Sequence, residues 1–236
     1  MNLPDMYVPA GFSGHGNFTV DIDPQRAGLA FSGLRVLVLE AGASQVAVGG
    51  VGFNIVQMAR EFGTSQVIAI DVADDKLEAV KAFGATATIN SMTQDAREDV
   101  LKLTNGRGVD VSFEALGIPF TWNTALDVLA DGGRMVPIGL GAGRQTAEVE
   151  INRTVRRSQS ILGSYGARTR QDLPAVVDLA ARGIINDGDL VTCRFSLDEA
   201  AAGYEALRHR TVQGRCRRHV SVRPDFLFVV IRAGSS

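Results

Sequence analysis

Residues 45–71 constrain what this chain can fold into more than any other stretch. Gln45-Val46-Ala47-Val48 reads as a buried strand, Gly49-Gly50-Val51-Gly52 as a tight turn, and 53–59 as a helix with small and apolar residues on one side. A second apolar strand, Gln66-Val67-Ile68-Ala69-Ile70, follows at once and ends on Asp71. Nineteen residues separate Gly52 from that acid, close to the spacing at which a βαβ unit sets a carboxylate beside a ribose. Glycines let the main chain approach a pyrophosphate, the helix start offers unpaired N–H groups, and the acid accepts from ribose hydroxyls. In register with G-x-G-x-x-G the first position is Ala47, and a glycine turn alone can simply join strand to helix. The context carries the reading.

The alternation continues. Residues 75–82 have helical spacing with Gly84 as a stop, and 93–104 form a helix ending at Asn105-Gly106. Residues 109–114 alternate as a strand. Residues 121–130 place Trp122, Ala125, Leu126 and Leu129 on one helical face, closed by Gly132-Gly133, and 134–140 are a short apolar strand. Residues 161–165 read as a short strand and 171–182 as a helix with Pro174 in its first turn. Ser196-Leu197-Asp198-Glu199 is a capping box opening a further helix. Strands alternating with helices predict an α/β protein with a doubly wound parallel sheet. Residues 35–42 also look like a strand and turn, so either a short extra strand precedes the sheet or the first strand and its glycine loop are separated.

Composition excludes several classes. The net charge of −2 gives no sign of nucleic acid or an anionic membrane surface. The longest apolar run, 226–231, is far too short to span a bilayer. Cys193 and Cys216 make neither a CxxC pair nor a disulfide framework, and His15, His209 and His219 form no ligand cluster. A reduced, cytoplasmic setting is expected, and no signal peptide is visible.

With these motifs in order, the chain resembles the cofactor domain of the medium-chain dehydrogenases, the zinc-type alcohol and polyol dehydrogenases. The resemblance rests on Gly49-Gly50-Val51-Gly52, Asp71 with Lys76, Phe83-Gly84-Ala85-Thr86, Gly106-Arg107-Gly108-Val109-Asp110 and Phe113-Glu114-Ala115-Leu116-Gly117. Gly132-Gly133-Arg134, Leu162-Gly163-Ser164-Tyr165-Gly166 and Gly214-Arg215 continue it. It covers roughly residues 44–216 and implies a Rossmann domain holding NAD. It places the pyrophosphate on Gly49, Gly50, Val51 and Gly52, and the adenosine ribose on Asp71 with Lys76 beside it. Leu116 and Gly117 would line the adenine side, Ile138, Gly139, Gly163 and Tyr165 would face the nicotinamide, and Arg215 would reach the pyrophosphate. A homo-oligomer is expected, assembled through 139–163.

The family's GroES-like catalytic domain, with its cysteine and Gly-His-Glu zinc ligands, is expected to be largely missing. Gly14-His15-Gly16 lacks the glutamate and any nearby cysteine, whereas a catalytic zinc needs three protein ligands and an open fourth position. No catalytic residue and no metal ligand is assigned. The expected organisation is an irregular head (1–33), a Rossmann domain (34–216) and a divergent tail (217–236). The head and tail read as though they belong to different reading frames or a truncated gene. The expected function is NAD-dependent hydride transfer with a small alcohol. The alternatives are an NAD-binding module or degenerate remnant of such an enzyme without activity of its own, or an interaction protein using the sheet edge around 147–161.

Overall fold

A computed structural model describes residues 35–39, 49–141, 143–166, 169–196, 198–208 and 215–218. Its centre is a six-stranded sheet in the order β3-β2-β1-β4-β5-β6, with every neighbouring pair parallel. The strands are β1 (Arg35–Leu39), β2 (Gln66–Asp71), β3 (Ala87–Asn90), β4 (Val109–Glu114), β5 (Leu129–Pro137) and β6 (Ser160–Ile161). Helices α1 (Gly49–Glu61), α2 (Asp74–Ala82), α3 (Ala96–Leu103) and α4 (Pro119–Asp127) connect them, and α5 (Ile151–Arg156) precedes β6. This is the Rossmann-type doubly wound architecture that the alternation predicts.

Central strands are apolar on both faces because helices cover both sides. Within β1, Val36 and Val38 face the cluster holding Phe53, Val56 and Ala59 of α1, while Leu37 faces Val100, Ala125 and Leu126 of α3 and α4. The same period of two sends Val67 and Ala69 to one layer and Ile68 and Ile70 to the other. Phe53 meets Phe83 edge-to-face with ring centroids 4.9 Å apart, locking α1 to the end of α2.

The first strand is where the structure chooses between readings. Residues 45–48, read above as the strand before the glycines, lie outside the described residues. The central slot is held by Arg35–Leu39, with Val36 beside Val67 on one flank and beside Val111 on the other. The first strand is therefore separated from the glycine turn. Two boundaries also move. Leu129 and Ala130, expected at the end of a helix, begin β5, and the strand expected over 161–165 is confined to Ser160–Ile161.

Beyond the sheet come α6 (Thr169–Ala181), α7 (Asp187–Leu190) and α8 (Ala200–Arg208). Pro174 lies inside α6 rather than in its first turn. Glu199 reaches back to Ser196, accepting from its N–H at 2.9 Å and its hydroxyl at 2.8 Å, so the acidic half of the capping box forms. These two hydrogen bonds hold the Glu199 carboxyl below its ordinary pKa. Strands β7 (Val191–Phe195) and β8 (Arg215–Arg218) pair parallel in a sheet of their own. Their register sets Cys193 opposite Cys216. Cys193 is disulfide-bonded, which corrects the expectation of reduced cysteines; strand pairing joins positions that spacing along the chain leaves unrelated.

Candidate functional site

In an open parallel sheet, ligands sit outside the carboxyl ends of the strands, where the strand order reverses. Here that point lies between β1 and β4. Gly49 and Gly50 open α1, Val51 and Gly52 follow within its first turn, and no acidic residue occupies that turn. The positive end of the helix dipole is thus left for an anion.

Asp71 closes β2 at the same edge and is only 6% exposed. Its Oδ1 accepts from the N–H groups of Val72 at 2.6 Å and Ala73 at 3.0 Å. Its Oδ2 has no hydrogen-bond partner among the described residues. Burial pushes the carboxyl above its ordinary pKa near 3.8, against the opposing pull of Lys76 and of the two N–H groups. A buried acceptor with one oxygen unspent fits a pair of ribose hydroxyls. Gly52, Asp71 and Lys76 line one small cleft of about 20 Å³, so the structure brings these three predicted residues together. A larger cavity of about 390 Å³ lies at the opposite end of α1, lined by Gln57, Arg60, Phe83 and Asn186. It is away from the glycines.

The turns after β4 and β5 form the next part of the rim. Leu116 and Ile138 are buried, and Gly117 takes φ +75°, a conformation that favours glycine. A Cβ on Gly139 would fall 2.2 Å from the nitrogen of Gly117, so the two turns touch main chain to main chain. Motif reading singled out Leu116, Gly117, Ile138 and Gly139 but not the group that organises them. The carboxylate of Glu114, fully buried, accepts from the Leu116 and Gly117 N–H groups and from the Thr121 hydroxyl. An acid ending an apolar strand was the available signal.

Gly163 and Tyr165 flank the last of the β5–β6 pairing, where Leu162 donates to the Met135 carbonyl and Ser164 to that of Pro137. Gly163 is exposed and Tyr165 is 46% exposed. Arg215 opens β8, in the separate small sheet, and its side chain lies outside the described residues.

Among the described residues zinc meets no comparable fit. Among the described residues, no three of His, Cys, Asp and Glu gather as a metal site, and Cys193 is committed to a disulfide. His15, His209 and His219 lie outside the described residues. No helix among the described residues is long and apolar enough to cross a membrane.

Comparison with known proteins agrees with this geometry. Residues 50–182 match the family described as zinc-binding dehydrogenase. Sorbitol dehydrogenase of Bacillus subtilis (strain 168) is 34% identical over 159 residues, 67% of this chain and 44% of that protein. The crystal structure of an NAD-dependent alcohol dehydrogenase superposes with a TM-score of 0.69 at 29% identity, covering 80% of this chain and 52% of the other. An NADP-bound structure from Sinorhizobium meliloti 1021 gives a TM-score of 0.65 at 27% identity, covering 77% and 52%. The chain spans about half the length of the relatives it matches.

Proposed function

The chain belongs to the zinc-binding dehydrogenase family, and from that footing we propose that it binds NAD and serves hydride transfer between nicotinamide and a small alcohol or polyol. The observation that carries the reading is Asp71, a buried acid at the end of β2 with one oxygen to which no described residue donates, in one cleft with Gly52 and Lys76. That oxygen receives the ribose hydroxyls and Lys76 offsets its charge. The opening N–H groups of α1 take the pyrophosphate. Leu116 and Gly117 bound the adenine side; Ile138, Gly139, Gly163 and Tyr165 bound the nicotinamide side, and Arg215 reaches the pyrophosphate. The cofactor itself supplies the hydride chemistry, and the protein supplies orientation and exclusion of water. The working unit is residues 34–216, used as a homo-oligomer.

A second reading is a dinucleotide-binding module without turnover of its own. What favours it is the lack, among the described residues, of any three-ligand cluster to polarise an alcohol oxygen. Assaying the purified chain with NAD and a panel of alcohols and polyols, with and without added zinc, separates the two. Zinc-dependent turnover supports the enzyme; NADH binding without turnover supports the module.

A further inference from the structure

Glu114 is fully buried, and no cation pairs with it among the described residues. Burying an unpaired carboxylate is costly unless hydrogen bonds replace its water. Those bonds come from the turn that follows and from the first turn of α4. Oε1 accepts from Leu116 N–H at 2.9 Å, Gly117 N–H at 2.9 Å and the Thr121 hydroxyl at 2.7 Å, and Oε2 accepts from Gly117 N–H at 3.0 Å. The main-chain carbonyl of the same residue accepts from Ile138 N–H at 2.7 Å and Gly139 N–H at 3.0 Å. One residue thus grips the turn after β4 with its side chain and the turn after β5 with its backbone. The two turns are themselves in contact, since a Cβ on Gly139 would lie 2.2 Å from Gly117 N and 2.3 Å from Leu116 N.

We infer that Glu114 is a positioning residue that fixes the spacing of these two turns, so that the two halves of a dinucleotide are held at once. This rests on the dinucleotide reading above. A ligand occupying one turn tolerates a small change in spacing. A ligand that must satisfy both loses the advantage of linkage between its halves. A neutral amide cannot replace the carboxylate, because Gly117 N–H donates to both oxygens and an NH₂ at either position sets donor against donor.

The test compares NADH with AMP, which carries only the adenosine half, by fluorescence titration and competition. Wild type, Glu114→Gln, Thr121→Val and Thr121→Ser are measured on the full chain with melting temperatures alongside. We expect Glu114→Gln to bind NADH about tenfold more weakly and AMP within about twofold of wild type. Thr121→Val should weaken NADH about threefold, with Thr121→Ser at the wild-type value, because serine keeps the hydroxyl donor; this pair carries the test if Glu114→Gln does not fold. Equal losses for NADH and AMP, or undiminished NADH binding in both Glu114→Gln and Thr121→Val, overturn the inference alone. Failure of the wild type to bind NADH overturns the dinucleotide reading and the inference with it.

Discussion

The guanidinium of Arg153 grips the carboxylate and the main-chain carbonyl of Asp127 together, tying the start of α5 to the last residue of α4. Arg157 repeats the move one turn later, donating to Asp131 at 2.6 Å. Two arginines that would otherwise blunt this edge are thereby spent within the chain. Ile151 and Val155, one turn apart on the same helix, are left 75% and 72% exposed. We predict a dimer or larger species by light scattering at micromolar concentration, reduced to monomer by the pair Ile151→Ser and Val155→Ser. A wild type that is monomeric under those conditions counts against it.

Asp71 sets stability against binding. A carboxyl whose folded pKa lies above its unfolded value binds more protons folded than unfolded between the two. Its contribution to stability is therefore lost as pH rises through that window, which begins near 3.8, and at neutral pH the ionised group is a net cost. Asp71→Asn should raise the melting temperature at pH 7, with the difference from wild type closing as pH falls to 3.8. The same change should weaken NADH about tenfold. Wild-type affinity should also fall on acidification, starting above the usual carboxylate range.

NAD(H) should bind more tightly than NADP(H). A 2′-phosphate would meet the Asp71 carboxylate, and Val72-Ala73-Asp74-Asp75 adds further acid with no arginine. Parallel titration of both cofactors checks this, and equal or tighter NADP(H) binding defeats it.

Gly139→Ala should destabilise the protein by about 1–3 kcal/mol, because the new methyl meets rigid backbone rather than a side chain that can yield. Gly163→Ala, with nothing among the described residues within 4 Å of its Cβ position, should stay within about 0.5 kcal/mol. Chemical denaturation of both variants makes the comparison; equal effects would show that the two turns separate easily.

Tightly bound catalytic zinc is not expected. Elemental analysis after chelation should find far less than one equivalent per chain. Retention of a full equivalent would mean that ligands distant in sequence converge.

Much of this was legible in the sequence because parallel strands buried on both faces leave unbroken apolar runs, as in 66–70, and because Asp71 ends such a run one helix after a glycine turn. The first strand was not. Residues 36–39 and 46–48 have nearly the same apolar character, and periodicity cannot say which of them finds partners on both flanks. Leu129 fits a helical face as well as a strand, and its pairing with Val109 decides the matter. Glu114 stayed hidden because its donors are mostly main-chain N–H groups, which every sequence has. The roles of Arg153 and Arg157 depend on acids 26 residues upstream.

Strand order also sets a sequence of events in time. β1 can pair with β2 once both have been synthesised, but its other flank must wait for β4, where Val36 lies beside Val111. Until then a nascent sheet of β1, β2 and β3 carries an open edge of valine and leucine. Such an interval favours pairing with another chain and slows closure. The strand at the centre of the finished sheet is therefore an open edge during that interval.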